Sequence, residues 1–157
     1  MSKTFTVNGT DYTFPEQGAS PPWGTEVTDW AQAVTDTLSN VAGSGDVLNT
    51  QFLFNNNQSS ASNITGLTFD VAVVRGAIIS YAIYRSTSSS ELAECGTLYA
   101  VFKNTANSWE IAQSHAGNSE FVFSVTSAGQ FQYTTSNIAG TGHVGRIRFS
   151  AKAFTQT

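Results

Sequence analysis

Residues 147–153 read I-R-F-S-A-K-A. Ile147, Phe149, Ala151 and Ala153 take the odd positions, and Arg148, Ser150 and Lys152 the even ones. Successive side chains of an extended chain point to opposite faces, so this is a strand with one apolar and one wet face. The same period recurs upstream in Ile79, Tyr81 and Ile83, in Leu98, Ala100 and Phe102, in Phe121, Phe123 and Val125, and in Phe131 and Tyr133. Ser, Asn and Gly separate these runs, and residues 55–63 (N-N-N-Q-S-S-A-S-N) and 86–90 (S-T-S-S-S) are predicted polar loops. Short alternating strands with no helix-length pattern between them predict a mainly β domain, an antiparallel β-sandwich or jelly roll, and not a βαβ fold.

The pattern changes towards the N-terminus. Phe5 and Val7 alternate before Asn8-Gly9, and Tyr12 and Phe14 alternate after it. Asn-Gly tolerates positive φ at both turn positions, so a hairpin is predicted here. Pro15, Pro21 and Pro22 then hold the chain extended as far as Trp23-Gly24. From Glu26 the spacing becomes helical: Val27, Trp30, Ala31, Val34, Leu38 and Val41 form one stripe. Thr25 can cap this helix, Glu26 and Asp29 suit its positive end, and Gly43-Ser44-Gly45 stops it. Residues 1–46 hold Lys3 against Asp11, Glu16, Glu26, Asp29, Asp36 and Asp46, a net charge of −5, while the remainder has six cations and five acids. Composition therefore divides the chain into an N-terminal arm and helix, residues 1–45, and an antiparallel β domain, residues 46–157.

Charged residues make up 11% of the 157, far below the quarter usual in soluble domains. Ser, Thr, Asn and Gln, 58 in all, wet the surface in their place. Eleven Phe, five Tyr and three Trp supply enough apolar area for a core, which excludes disorder of the whole chain. Seven cations against eleven acids cannot build a phosphate-tracking stripe, so no nucleic-acid partner is expected. The start MSKTFTVNG has no apolar signal core, and no run approaches the roughly 18 apolar residues of a membrane span. The expectation is a chain made in a cytoplasm, with no membrane partner, so the sequons at Asn8, Asn57 and Asn63 read as chance.

Candidate chemistry is sparse. His115 reads as lying at a strand end that runs into a turn and His143 in a loop, with no G-x-S-x-G elbow nearby. Glu91 and Glu94 are three apart, hence on opposite faces of a strand, and with Asp70, Glu110 and Glu120 they read as solvated surface carboxylates. Cys95 stands beside Glu94, which opposes a thiolate, and is expected as a small packed residue. Gly140, Gly142 and Gly145 spell G-x-G-x-x-G but open no helix. The sequence thus predicts no catalytic residue, no metal site, no cofactor and no enzyme. Among the aromatic residues, Tyr84 and Trp109 are candidates for stacking on a glycan. Phe5, Tyr12, Phe14, Trp23, Val27, Trp30 and Val34 are candidates for anchoring or subunit contact, because an isolated hairpin and a short helix need a partner surface.

Four stretches carry a resemblance: V-R-G-A-I-I-S-Y-A-I-Y-R-S-T (74–87), G-T-L-Y-A-V-F (96–102), E-F-V-F-S-V-T-S-A-G-Q-F-Q-Y-T-T-S-N (120–137) and G-R-I-R-F-S-A-K-A-F (145–154). With the arm V-N-G-T-D-Y-T-F-P-E-Q-G-A-S-P-P-W-G-T-E-V-T-D-W-A-Q-A-V (7–34), they resemble a family of tailed-bacteriophage virion accessory proteins. The resemblance implies a virion component made in the host cytoplasm, a homotrimer without cofactor, anchored by its arm to the major capsid protein or to tail proteins. The chain holds no shaft of repeats, which favours a capsid decoration or head-fibre protein. The alternative is a short tail fibre or adsorption protein whose β domain binds a host surface glycan.

Overall fold

The structure, a computed structural model, describes residues 3–7, 10–14, 24–41 and 45–155. The chain divides into two compact units, residues 1–43 and 44–157. In the first, β1 (Lys3–Val7) pairs antiparallel with β2 (Thr10–Phe14), Lys3 opposite Phe14 and Val7 opposite Thr10. Thr6 Oγ1 donates to Asp11 Oδ1 across this pair at 2.6 Å. The helix α1 spans Gly24–Val41. On its apolar stripe Val27 is exposed, while Trp30 and Val34 are half-buried.

The second unit has eight strands among the described residues: β3 (Val47–Leu53), β4 (Ser62–Thr68), β5 (Val74–Ser86), β6 (Glu91–Lys103), β7 (Ser108–Asn118), β8 (Phe121–Val125), β9 (Gln130–Thr135) and β10 (Val144–Thr155). They form a five-stranded sheet, β3-β10-β5-β6-β7, and a three-stranded sheet, β4-β9-β8, with every pair antiparallel. The pairing is nested: first with last, β3 with β10, and second with second-last, β4 with β9. Such nesting characterises jelly rolls. Here β5 stays hairpin-paired with β6, so the sheets hold five and three strands instead of four each.

The core lies between the two sheets. Ile79, Tyr81, Ile83, Leu98, Phe102, Ile147 and Phe149 face Ile64, Leu67, Phe121, Phe123, Phe131 and Tyr133. Aromatic edges close the contact: Tyr81 meets Phe123 at 5.0 Å, and Phe54 meets Phe121 at 4.9 Å. Each fully buried Phe contributes roughly 1.5–3 kcal/mol, so these rings are the main cohesive term. At the entry to the domain, Asp46 ties β10 to the chain leading into β3. Its carboxylate accepts from the Ala153 N–H and from Lys152 Nζ, both at 2.7 Å.

Two strands depart from the sequence expectation, and a third, β3, lies outside the predicted runs. β4 begins at Ser62, inside the stretch read as loop. Its Ile64 and Leu67 are both buried although three apart, because the register with β9 shifts between Asn63 and Thr68, where Gly66 takes φ +86°. A bulge resets the face on which side chains emerge, which erases the period of two. β7 continues to Asn118, so Ser114-His115 lies within a strand and not at its end. Residues 112–118 are exposed on both faces, and an uncovered strand carries no apolar alternation. β3 is an edge strand with a register shift against β10 between Phe149 and Ala151.

Candidate functional site

Strand register builds the outer face of the five-stranded sheet row by row. One row runs Leu53, Arg146, Tyr84, Ala93 and Asn118, and the next runs Gln51, Arg148, Ala82, Cys95 and Ala116. Arg146 and Arg148 are two apart on β10, so both guanidiniums emerge on this face. The small Ala82 between them and Tyr84 leaves a groove of about 290 Å³, lined by Ala82, Ile83, Tyr84, Arg146 and Arg148. The Arg146 guanidinium lies 4.9 Å from the centre of the Tyr84 ring. Arg148 Nε donates to Gln51 Oε1 at 3.1 Å, and the Tyr84 hydroxyl donates to Glu91 Oε2 at 3.1 Å. Among the described residues, neither arginine of the groove is in an ion pair.

Further along the same face the rows turn apolar. Lys152, Ile78, Tyr99 and Ala112 align, and beside them Phe154, Gly76, Val101 and Glu110, so the apolar side chains are flanked by a charge at one end of each row. Ile78, Tyr99, Val101 and Phe154 are 37%, 48%, 53% and 51% exposed. Neighbouring apolar side chains left in water on one sheet face mark an association surface more often than isolated ones do.

At one end of the sandwich a buried polar network joins strands and loops. The Arg85 side chain is fully buried and donates to Ser119 O at 2.8 Å, Asn56 Oδ1 at 2.9 Å and Ser136 O at 2.8 Å. Desolvation lowers its pKa, opposed by the charge of Glu120. Glu94 is buried as well, and its carboxylate accepts from the Tyr81 hydroxyl at 2.7 Å, Gln113 Nε2 at 2.8 Å, and the Ser119 N–H and hydroxyl at 3.0 and 2.8 Å. Burial, followed by the bond to Glu94, holds the Tyr81 hydroxyl far above its ordinary pKa. Ser119 thus bridges an anion and a cation that do not touch. The Thr87–Ser90 turn closes beside it on the β9–β10 connection, with Ser88 N donating to Thr141 O at 2.9 Å.

These positions amend the sequence reading. Trp109 is in the core, its ring against Phe102 and Phe69, so it has no face to offer a glycan. Tyr84 is half-buried at the groove. Glu94 is no surface carboxylate, whereas Glu91 is exposed on the other face, as the three-residue spacing requires. Cys95 is exposed, since its parity places it on the outer face with Ala82 and Ala116. His143 is half-buried against Phe54, and desolvation, then the nearby Arg85 charge, lowers its pKa. Val27, Trp30 and Val34 share α1, and the backbones of Phe5, Tyr12 and Phe14 lie in β1 and β2. The side chains of those three and all of Trp23 lie outside the described residues. Arg85 and Glu94 were legible as an anomaly. Arg85 continues the inward series Ile79, Tyr81, Ile83, and Glu94 continues Leu98, Ala100, Phe102 backwards, so the period places a charge inside at both.

No family model matches the chain, and no curated protein matches it. Among solved structures, the tailspike protein of Acinetobacter phage vB_ApiP_P1 is similar to it at 15% identity with a TM-score of 0.39. That match covers 68% of this chain and 22% of the tailspike chain.

Proposed function

We propose that the protein is a non-enzymatic structural component of a bacteriophage virion: a homotrimeric capsid decoration or head-fibre protein. Its N-terminal unit would anchor it to the major capsid protein or to tail proteins. The observation that carries this reading is the outer face of the five-stranded sheet, where Ile78, Tyr99, Val101 and Phe154 stand side by side in water. A subunit interface presents such a surface before assembly, apolar at its centre and polar at its rim. The sequence resemblance to virion accessory proteins supports the setting, and the acidic, Trp-bearing arm supports the role of anchor. Three arms on one trimer raise each other's effective concentration, so weak individual contacts hold. Cryo-electron microscopy of purified virions tests this, with the expected outcome of threefold clusters over the head. A chain lacking residues 2–45 that still decorates particles would overturn the anchor.

The groove at Tyr84 favours a second reading, a short tail fibre or adsorption protein whose β domain contacts a host glycan. A few copies at the tail, with none on the head, would select it.

A further inference from the structure

We infer that the groove between Tyr84, Ala82, Arg146 and Arg148 is a binding site for the carboxylate of an acidic polysaccharide. This deepens the adsorption reading, although the measurement below needs no particle. Arg146 and Arg148 stand two residues apart on β10, roughly 7 Å along the strand, with both heads on the exposed face. Two guanidiniums so placed can fork onto a carboxylate or take successive acid groups of a polymer.

The neighbours pre-arrange them. Tyr84 lies under the Arg146 guanidinium, and Gln51 takes Arg148 Nε, which leaves the terminal nitrogens of Arg148 for a ligand. Ala82 opens the floor, and its opposite number on β10 is Arg148 itself. At about 290 Å³ the groove is at the small end of ligand pockets, on the scale of one or two sugar rings. Ser80 and Thr97, opposite each other in the next row of this face, offer hydroxyls for the polar edges of a sugar. The Glu91 carboxylate at the far end of Tyr84, held by the Tyr84 hydroxyl, repels a second anion there and orients the acid towards the arginines.

Charge decides the class of polymer. The chain carries a net charge of −4, with two arginines at the groove and few cations elsewhere. A densely charged polyanion gains its affinity from many simultaneous phosphate or sulfate contacts, which this surface does not supply. A polysaccharide with spaced carboxylates and neutral hydroxyls matches two arginines set in a neutral polar face.

The full-length protein is titrated by biolayer interferometry against immobilised polygalacturonate, alginate, hyaluronate and polysialate. Methyl-esterified polygalacturonate and dextran sulfate serve as controls. The expected result is binding to at least one of the four carboxylated polymers, at least tenfold weaker for the methyl ester where that pair is compared, and no tighter for dextran sulfate. Arg146→Gln and Arg148→Gln each weaken binding about tenfold. Ala82→Leu, which fills the floor and keeps both charges, weakens it as well. All three positions are exposed, and unchanged melting temperatures confirm that each variant folds. Binding to none of the four polymers, tighter binding to dextran sulfate, or binding unmoved by Ala82→Leu and the arginine variants overturns the site. Virion occupancy of Arg148→Gln tells the groove from the anchor. Unchanged particle attachment with lost glycan binding touches the groove alone, while lost attachment counts against the anchor lying in the N-terminal unit.

Discussion

Arg85 shares its charge among three oxygens on three connections: Asn56 between β3 and β4, Ser119 between β7 and β8, and Ser136 between β9 and β10. A planar fork can reach three acceptors at once, which a lysine ammonium on a flexible stem does less well. Arg85→Met leaves Ser119 O without its donor and strips the charged donor from Asn56 Oδ1 and Ser136 O, which keep only the Ile138 and Asn57 N–H groups, at a cost of about 3 kcal/mol. Calorimetry should record a fall in Tm of roughly 6–12 °C, with a smaller fall for Arg85→Lys. Because Ser119 bonds both charges, Glu94→Gln and Arg85→Met should be non-additive, coupled by about 0.5–3 kcal/mol in a double-mutant cycle. His143 supplies a pH dependence of definite sign. Its folded pKa lies below the ordinary 6.5, so the folded state binds fewer protons than the unfolded one in that window. Stability is therefore lost as pH falls from 6.5 towards the lower, folded value. Urea melts between pH 7.5 and 5 should show this slope in the parent protein and a flatter one in His143→Gln.

Turns and bulges decide how far each element could be read from its residues. Gly129 closes the β8–β9 hairpin with φ +86°, and its carbonyl accepts from the Phe69 N–H at 3.0 Å. A Cβ at that position would run into the Phe69 carbonyl. Gly129→Ala combines strain with that collision, and chemical denaturation should find it destabilised by about 2–3 kcal/mol, since strained backbone alone costs about 1–3 kcal/mol. β5, β6, β8, β9 and β10 were legible because each keeps one face on the core for its length and so alternates strictly. β4 was hidden by the bulge at Gly66, and the second half of β7, residues 112–118, by its two wet faces. The groove was half legible. Tyr84 was a candidate as an aromatic residue, but its partners come from β10, 62 and 64 residues further on, and no local pattern encodes a register between distant strands. Trp109 misled because it belongs to none of the alternating runs read from the sequence, so nothing local tells which sheet face it joins.

For the whole molecule, the outer sheet face links folding to assembly. If three copies meet there, Tyr99→Lys or Val101→Glu should convert trimer to monomer in sedimentation equilibrium while near-ultraviolet dichroism stays unchanged, because neither side chain enters the core. Separately, residues 46–157 should melt cooperatively without the arm, since the buried cluster runs from Phe54 to Ala153. The place of β10 has another result, concerned with time and not space. The last strand of the sandwich to be made lies second in its sheet, between the first strand, β3, and β5. Until residues 144–155 emerge, both neighbours keep an unpaired edge, and unpaired edges recruit other chains. A chain stopped after His143 should therefore collect in the insoluble fraction, where one missing its first 45 residues should not. Contacts so distant in sequence close slowly, on the millisecond-to-second scale of β-sandwiches. On a ribosome adding about 5–20 residues each second, β3 is exposed for several seconds before its partner exists, and it is then that the chain is most open to chaperones and to its own copies.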